Sequence, residues 1–472
     1  MNAPSARTRC PPRSRLNRRR LLALPGCAVL LLPACGGGSA PAPEPSTETP
    51  STTPTALSYG AIRSVYVVGQ AIPPNRARLD GVPAARYSVA PDLPLGLSLD
   101  LSTGAIVGVP QVPQAQTQYT VTASHARGRT QAQIQITVAG QGVWKAAASL
   151  PDARYYASWA PLPGGRFLMA GGRSRTAITD AAHIFDPAAD TWTPAAPMWK
   201  GRAAARAVPL SDGRVLVLGG DTAARATTAS AEIYDPFADA WIATEPMNAA
   251  RSWATAHRLA DGRVLAVGGT WLKLGLGRTY QHTVERYDPG TGAWTLLETP
   301  LWTARSQHAA ALLPGGTTLL VAGGVNAVGR EPTAEIYAVD GSGTTVIPYG
   351  VQANVQQAVS LNDGSVLVVD DLSLRSHRFD PYLARWTTSA RSALRLLPSM
   401  AVMADGRVLL AGGGNLNTAE VYAPEQNVWT ATAPMARARR AAVASLLADG
   451  SVLLVSGDSH AGPLDGCERY AP

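Results

Sequence analysis

An apolar run that ends in two glycines recurs through residues 141–472, and this repeat constrains the fold more than any other feature. The diglycine is intact in five of the seven copies, which are FLMAGG (167–172), VLVLGG (215–220), VLAVGG (264–269), LLVAGG (319–324), VLVVDD (366–371), VLLAGG (408–413) and VLLVSG (452–457). Short, continuous Val/Leu runs predict strands that are buried on both faces. The glycines permit a positive φ where each strand ends.

A tight turn precedes each apolar run. Two of the turns are Gly-Gly and the other five are Asp212-Gly213, Asp261-Gly262, Asp363-Gly364, Asp405-Gly406 and Asp449-Gly450. Asp-Gly is favoured in two-residue hairpins because its central positions tolerate positive φ. Each apolar strand is therefore predicted to pair antiparallel with the strand before it.

An aromatic residue and then a tryptophan follow the apolar run in a fixed register. The aromatic residues are Phe185, Tyr234, Tyr287, Tyr337, Phe379, Tyr422 and Tyr470. Five units continue to a tryptophan at the same spacing, at Trp192, Trp241, Trp294, Trp386 and Trp429. The fourth unit departs from the pattern, with Thr344 at the place of the tryptophan.

This order of turn, apolar strand, diglycine, aromatic residue and tryptophan resembles the Kelch repeat. The resemblance implies a β-propeller with one four-stranded blade per repeat. The seventh unit ends without its tryptophan strand, and Trp144 at the start of the region supplies one. We therefore predict an all-β chain whose residues 141–472 form seven blades, the last closed by the strand around Trp144. Six blades would require the fifth unit, which has Asp370-Asp371, to be an insertion.

Residues 57–140 contain short alternating stretches such as YTVTA (119–123) and IQITV (134–138), which predict a small antiparallel β-sandwich. Segment 93–110, LPLGLSLDLSTGAIVGVP, resembles the hairpin of the immunoglobulin-like repeats of bacterial surface proteins. The resemblance implies an Ig-like β-sandwich that acts as a spacer, or alternatively as an adhesive module.

Residues 1–34 predict an export signal, because a basic stretch runs into an apolar segment that is too short to span a bilayer. The string Leu-Pro-Ala-Cys that ends at Cys35 resembles the lipobox of bacterial lipoproteins, which implies that Cys35 is lipidated. Too few apolar residues precede Cys27 for the same role. A plain secretory signal and the choice between general and twin-arginine export stay open.

The residue after Cys35 is glycine, which in Gram-negative lipoproteins implies delivery to the outer membrane. We therefore expect a cell-envelope protein that contacts the membrane through its lipid anchor and faces the periplasm or the cell surface. Residues 35–56 are Gly, Ser, Pro, Thr and Glu with few apolar side chains, so they predict a disordered tether.

The charge and the cysteine content argue against a nucleic-acid-binding protein and against a disulfide-stabilised fold. The chain has 41 basic and 33 acidic residues, but seven arginines and no acid lie in residues 1–34, so the remainder is nearly neutral. This removes the main support for a nucleic-acid partner. Once the signal is removed and Cys35 is lipidated, Cys467 has no partner in the chain, so no disulfide framework is expected.

Arginine stands 11 residues before the turn glycine in six of the seven units, at Arg154, Arg202, Arg251, Arg305, Arg395 and Arg439. The fifth unit has Ala353 at this place. The arginines precede the innermost strand of each blade, so we expect them around the axis near one mouth of the channel. They are candidates for binding a carboxylate or a phosphate, or alternatively for tying neighbouring blades together.

Residues just beyond these arginines differ between blades and are further ligand-binding candidates, namely Tyr156, Trp253, Gln307 and His308. Aromatic side chains beside polar groups are typical of sugar and peptide sites, although they also pack within blades. The third blade has the longest excursion after its diglycine, residues 270–282, which is either a recognition loop or an insertion without a role.

Two functions remain open. The first is a binding or scaffold protein, expected to be a monomer, whose propeller takes a glycan, a peptide or a protein partner. The second is a cofactor-free carbohydrate-active enzyme, because the periplasmic Kelch propellers that this chain resembles include sugar mutarotases. The seven histidines lack the spacing of metal ligands, and nothing matches the adjacent Tyr-His ligand pair of galactose oxidase, so we expect neither a metal nor a cofactor and assign no catalytic residue.

Overall fold

The computed structural model describes residues 54–472 apart from residues 85, 141, 274, 276, 349–354, 372 and 392. The predicted export signal, Cys35, Ala353 and most of the predicted tether lie outside these residues. The regular elements among the described residues are strands and one 3₁₀ turn at Pro163–Gly165. They include no helix with the length and apolar character needed to cross a membrane.

The first eight strands form the predicted sandwich. They are β1 (Pro54–Tyr59), β2 (Arg63–Val67), β3 (Ala77–Gly81), β4 (Arg86–Ala90), β5 (Leu97–Leu99), β6 (Ile106–Gly108), β7 (Gln114–His125) and β8 (Gly128–Ala139). One sheet has the order β2-β8-β7-β4, β1 pairs with β3, and β5 pairs with β6 as the predicted hairpin. The pair β2–β8 is parallel, whereas an antiparallel sandwich was predicted.

The sandwich begins earlier in the chain than predicted. Strand β1 starts at Pro54, inside the segment predicted as tether, and proline is tolerated at the first position of a strand. Leu57 and Tyr59 on this strand are buried in the core, where they pack with Ile106 and Tyr119. The burial of these two side chains and the pairing of the strand with β3 together offset the entropy of ordering it.

Seven four-stranded sheets follow among the described residues, and we number them as blades in chain order. Blade 7 takes its outer strand, β9 (Val143–Ala147), from the start of the region. Blade 1 consists of β10 (Ser158–Pro161), β11 (Phe167–Ala170), β12 (Ala182–Asp186) and β13 (Thr191–Ala195). Blade 2 consists of β14 (Arg206–Pro209), β15 (Val215–Leu218), β16 (Ala231–Asp235) and β17 (Ala240–Thr244). Blade 3 consists of β18 (Thr255–Arg258), β19 (Val264–Val267), β22 (Val284–Asp288) and β23 (Ala293–Leu296).

The remaining blades repeat this arrangement. Blade 4 consists of β24 (Ala309–Leu312), β25 (Thr318–Ala322), β28 (Thr333–Ala338) and β29 (Thr344–Pro348), and blade 5 of β30 (Val355–Ser360), β31 (Val366–Asp370), β32 (Arg375–Asp380) and β33 (Arg385–Ala390). Blade 6 consists of β34 (Ser399–Val402), β35 (Val408–Ala411), β36 (Ala419–Ala423) and β37 (Val428–Thr432). Blade 7 consists of β9 together with β38 (Val443–Leu446), β39 (Val452–Val455) and β42 (Cys467–Ala471).

Short hairpins project from blades 3, 4 and 7 after the second strand. They pair β20 (Thr270–Lys273) with β21 (Gly277–Tyr280), β26 (Val325–Asn326) with β27 (Gly329–Arg330), and β40 (Asp458–Ser459) with β41 (Gly462–Pro463). The long excursion predicted in the third blade thus contains the first of these hairpins. Its Leu272 exchanges hydrogen bonds with Thr227 of blade 2, so the hairpin is held by the neighbouring blade.

Apolar cores between consecutive blades close the ring. Each core takes side chains from two neighbouring blades, and the core that joins blade 7 to blade 1 contains Leu453 and Val455 beside Phe167 and Met169. The closed arrangement removes the long exposed edges that an open array of sheets would leave. The fold is therefore a seven-bladed propeller, as the repeat predicts.

The strand around Trp144 closes blade 7 as predicted. Strand β9 pairs antiparallel with β42, and Trp144 lies opposite Tyr470 with ring centroids 5.1 Å apart. The indole Nε1 of Trp144 donates a hydrogen bond to the Ala433 carbonyl at the end of blade 6. The first and last strands of the propeller are thus held together by backbone pairing, a ring contact and a bond to the adjacent blade.

The diglycines are needed because consecutive blades approach closely there. A Cβ on Gly219 would lie 2.1 Å from the Arg251 carbonyl oxygen of the next blade, and the φ of Gly219 is +64°. Gly220 donates its N–H to the same carbonyl. In blade 5, Asp370 stands at the first glycine position and continues strand β31 instead.

Candidate functional site

The residue two positions after each repeat arginine has a left-handed backbone, and we call this set the mouth positions. Their φ values lie between 53° and 56°, and they are Tyr156, Ala204, Trp253, Gln307, Leu397 and Ala441. Such values are uncommon for residues with a Cβ and persist only where the surroundings impose them. Three of the four residues that differ between blades in the sequence thus share one structural position.

Hydrogen bonds between blades impose this backbone. The amide of Ala204 donates to the Tyr156 carbonyl of blade 1, the amide of Trp253 donates to Ala204, and the amide of Gln307 donates to Trp253. Ala441 of blade 7 donates likewise to Leu397 of blade 6. The mouth positions therefore form a chain of bonded backbone around one end of the propeller and hold their side chains on a rigid frame.

Tyr156 and Trp253 meet across this end of the propeller. They belong to blades 1 and 3, yet their ring centroids are only 4.6 Å apart in an edge-to-face contact. This contact is possible because the mouth position between them is Ala204, whose side chain is small. Tyr155 packs against Tyr156 at the same centroid distance. Side chains from different blades therefore converge near the axis, where they are half-buried.

An ion pair adjoins these aromatic rings. Arg440 donates from Nε and Nη2 to Asp458 Oδ2, at 3.1 Å and 2.7 Å. Side-chain exposure is 40% for Arg440 and 12% for Asp458, so the guanidinium is still open to a ligand. Burial raises the pKa of the Tyr156 phenol, and the positive charge of Arg440 opposes that rise. We call Tyr155, Tyr156, Trp253, Arg440 and Asp458 the mouth cluster.

The strands that follow the mouth positions line a channel. Its volume is about 410 Å³, and all seven blades contribute residues of their innermost strands. Most of these residues are alanine or other small apolar side chains. The polar lining residues are Ser158, Arg206, Thr255, His257 and Gln357.

The six repeat arginines lie inside the blades. Each is at most 1% exposed, and none lines the channel. In blade 3, Arg251 donates to the carbonyls of Gly268 and Thr283, and its Nη2 forms an ion pair with Glu285. Every guanidinium is enclosed, so the geometry favours a structural role over ligand binding. The guanidinium groups hydrogen-bond within their own blades, however, whereas the structural alternative predicted that they tie neighbouring blades together.

A repeat-wide glutamate that the sequence analysis did not use completes these ion pairs. It stands two residues before the aromatic residue in five blades, at Glu232, Glu285, Glu335, Glu420 and Glu468, and each pairs with the arginine of its blade. The sequence contained a signal for these pairs, because an acidic residue that recurs at the same position of a buried strand needs a positively charged partner. We call each such pair a blade ion pair.

Blades 1 and 5 have histidine at the glutamate position and phenylalanine at the following aromatic position. In blade 1, Arg154 Nη2 donates to Nδ1 of His183, whose pKa is lowered by burial and then by the Arg154 charge. A neutral imidazole thus serves as the acceptor. Blade 5 has His377 at this position, and its repeat arginine is replaced by Ala353, outside the described residues.

Arg391 supplies the missing guanidinium of blade 5. It follows the outer strand β33, whereas the other arginines precede the inner strand of their blade. Its Nη2 donates to the carbonyls of Asp370 and Ser373, and it is 4% exposed. Asp370 occupies the position whose carbonyl accepts from the repeat arginine in the other blades. The carbonyl at this position therefore still accepts a hydrogen bond from a guanidinium, but the arginine follows the outer strand of the blade instead of preceding the inner strand.

In blade 5, the side chain of Asp371 takes the place of a backbone carbonyl as a hydrogen-bond acceptor. Its Oδ2 accepts the amide hydrogen of Leu397, which in other blades goes to the carbonyl of the preceding mouth position. Asp371 is 3% exposed, and burial raises its pKa to about 7. A carboxyl group with a pKa near neutral pH is thus hydrogen-bonded to the backbone of a mouth position.

His308 and Cys467 are not available to a ligand. His308 is 1% exposed and its Nε2 lies 3.1 Å from Thr255 Oγ1, so it is a buried inter-blade residue and not a mouth residue. Cys467 is 2% exposed, and burial raises the pKa of its thiol to about 11. A thiol that stays protonated is a poor nucleophile.

Comparison with known families agrees with this architecture. The family described as "Putative Ig domain" matches residues 44–139, which include all eight sandwich strands. The family described as Kelch motif matches residues 259–301, which include three strands of blade 3. The chain is an Ig-like domain followed by a Kelch-repeat propeller. A search of curated proteins found no match to it.

The chain also has structural relatives. The chain is similar to a solved structure described as a novel fungal alcohol oxidase with catalytic diversity among the AA5 family, in complex with copper. The two are 16% identical with a TM-score of 0.57, over 70% of this chain and 76% of the oxidase. At this identity the likeness shows the fold alone. In the part of the chain that the structure describes, no group of three His, Cys, Asp or Glu side chains could hold a metal ion.

Proposed function

We propose that this chain is a binding protein whose Kelch propeller takes a glycan, a peptide or a protein partner at the mouth cluster. The observation that carries the proposal is the contact of Tyr156 with Trp253 beside the Arg440–Asp458 ion pair. Aromatic faces supply apolar contact area at little cost in side-chain entropy, and the ion pair supplies directional donors and acceptors. The bonded backbone of the mouth positions reduces the ordering needed on binding.

The blade ion pairs also support binding over catalysis. A cofactor-free sugar enzyme would need carboxylates and cations converging on an open cavity. Instead, the five glutamates and their arginines neutralise one another inside the blades. What the mouth offers to a ligand is an aromatic surface with one partly exposed ion pair.

The decisive variant changes both Tyr156 and Trp253 to alanine in the full chain. We expect affinity to fall by about 30-fold or more, because truncation of even one aromatic hot spot costs about 2 kcal/mol. The measurement is binding to a glycan array and to partners captured from envelope extracts, followed by titration of the ligand found. Trp302→Ala is the matched control, since Trp302 is 76% exposed and lies outside the mouth cluster. Unchanged affinity in the double variant would remove the mouth cluster from consideration.

We further propose that the chain is a lipoprotein of the cell envelope, anchored through Cys35. The support is the lipobox-like string before Cys35 and the polar segment after it. Cys35→Ser should move the protein from the membrane fraction to the soluble fraction, while Cys27→Ser should leave it in the membrane fraction. The check is fractionation followed by mass spectrometry of the mature N-terminus. Membrane association that persists in the Cys35 variant would contradict the anchor.

A second candidate function is a cofactor-free carbohydrate-active enzyme of the mutarotase or epimerase type. Asp371 is the observation that favours it, because a carboxyl with a pKa of about 7 can both accept and donate a proton near neutral pH. If a sugar is found to bind, its anomerisation or epimerisation can be followed by NMR with the wild type and with Asp371→Asn. Turnover that depends on Asp371 would favour this second function.

A further inference from the structure

Arg206 is the one permanently charged residue among the described lining residues of the channel. It lies on the inner strand of blade 2 and its Nε donates to the Ala254 carbonyl of blade 3, 2.5 Å away. No ion pair or hydrogen bond joins its two terminal nitrogens to any described residue. This distinguishes Arg206 from the six repeat arginines, whose terminal nitrogens are engaged within their blades.

The surroundings of Arg206 do not neutralise its charge. The described lining of the channel contains no aspartate or glutamate, and protein packed around Arg206 lowers the pKa of its guanidinium. Arg206 is only partly exposed, and a cation that loses part of its hydration without a counter-charge is destabilised. In the blades the same cost is offset by glutamate, so the channel is the place where a negative group from outside would be favoured.

Two histidines that stay neutral near pH 7 lie near Arg206 on blades 3 and 4. The pKa of His257 is lowered to about 4 by burial and then by Arg206, and His257 Nε2 has no hydrogen-bond partner among the described residues. His308 packs against the channel residue Thr255, and the charges that act on it come from Arg305, Arg206, His257 and Arg251. The neutral imidazole of His257 keeps one N–H donor. A guanidinium whose terminal nitrogens have no protein acceptor is a candidate site for an oxyanion.

We propose that the channel binds a small oxyanion at Arg206, with the side chains around His257 and Thr255 forming the wall of the site. A guanidinium presents parallel N–H donors that match the oxygens of a carboxylate or a phosphate. The channel volume of about 410 Å³ is within the range of small-molecule sites, so the oxyanion can be free or carried by a small organic acid. The site is separate from the mouth cluster and does not depend on the ligand proposed for it.

The test titrates the full chain with three probes at constant ionic strength. The probes are inorganic phosphate, gluconate as an organic carboxylate, and glucose as a neutral molecule of similar size to gluconate. Calorimetry is expected to show binding of at least one anion that depends on Arg206, whereas any binding of glucose should not depend on Arg206. Phosphate alone would identify a free inorganic anion, and gluconate alone would identify the carboxylate of an organic acid. Absence of binding by both anions would overturn the proposal.

Arg206→Gln is the variant that tests the residue. We expect it to weaken anion binding by about tenfold or more, because a charge-assisted pair of hydrogen bonds is lost. Glutamine can still donate to Ala254, and removal of an unpaired cation should leave the thermal midpoint without anion equal to that of the wild type or higher. Arg385→Gln, an exposed arginine on the outer strand of blade 5, is the matched control and should bind as the wild type does.

The double variant of Tyr156 and Trp253 separates this site from the mouth cluster. It should keep its affinity for the anion even if it loses the mouth ligand. Anion binding that survives in Arg206→Gln would overturn the assignment of Arg206. Anion binding that is lost in the mouth variant, with folding unchanged, would overturn the statement that the two sites are separate.

Discussion

Replacing Arg251 by methionine is expected to destabilise the propeller by about 3–5 kcal/mol, because it would leave Glu285 buried without its cation. Glu285 has no exposed surface, and after the change it would keep only the hydrogen bonds from Asn248 and Ala249. Those neutral donors cannot replace a positive charge. The free energy of unfolding can be measured by urea denaturation followed by circular dichroism.

A double variant keeps the test interpretable if the single variant fails to fold. Arg251→Met with Glu285→Gln should recover a large part of the lost free energy, since a neutral amide needs no counter-charge. Arg258→Met, which changes an exposed arginine on the inner strand of the same blade, should stay within about 0.5 kcal/mol of the wild type. A single variant as stable as this control would show that the blade ion pair contributes nothing.

Asp371→Asn is expected to stabilise the protein at alkaline pH and to do so progressively less as the pH falls. The pKa of Asp371 is raised from 3.8 to about 7 in the folded protein, so the folded state binds this proton more tightly than the unfolded state does. The resulting contribution to stability is complete below pH 3.8 and is lost as the pH rises through 7. The total change is on the order of 4 kcal/mol, and asparagine abolishes it.

The free energy of unfolding, measured near pH 4 and near pH 8, tests the sign of this prediction. Asparagine can still accept the Leu397 amide through its side-chain oxygen, so the variant should resemble the wild type at pH 4 and exceed it at pH 8. Asp370 and Arg391 also act on Asp371 and are present in both proteins, so the difference between the two curves isolates Asp371. Asp92→Asn in the sandwich is the exposed control. A stability difference that does not vary with pH would contradict the prediction.

The architecture was predictable because the repeat encodes local geometry that is used seven times. Asp-Gly turns specify hairpins, Val/Leu runs specify strands buried on both faces, and a missing tryptophan strand at one end can be matched with Trp144 at the other. Each of these signals acts within a few residues or by simple complementarity. The sandwich hairpin of residues 93–110 was recognisable for the same reason.

The candidate site was predicted less completely. Tyr156, Trp253 and Gln307 were identified because they vary between blades, but their common left-handed backbone was not expected. His308 was grouped with them from its position in the chain, although it is the next residue along and its side chain turns into the protein. Arg440 and Asp458 were missed as a pair, because one precedes an inner strand and the other begins a hairpin after the second strand.

The sequence by itself determined the all-β class, the seven blades, the closure of the last blade and the sandwich before it. The tertiary structure alone decided that the repeat arginines are enclosed within their blades. It also decided that Arg391 and Asp371 replace missing parts of blade 5 and that Tyr156 contacts Trp253 across Ala204. The physical reason is that strand and turn preferences act along the chain. Burial, ion pairing and contacts between blades depend on which side chains the closed ring brings together.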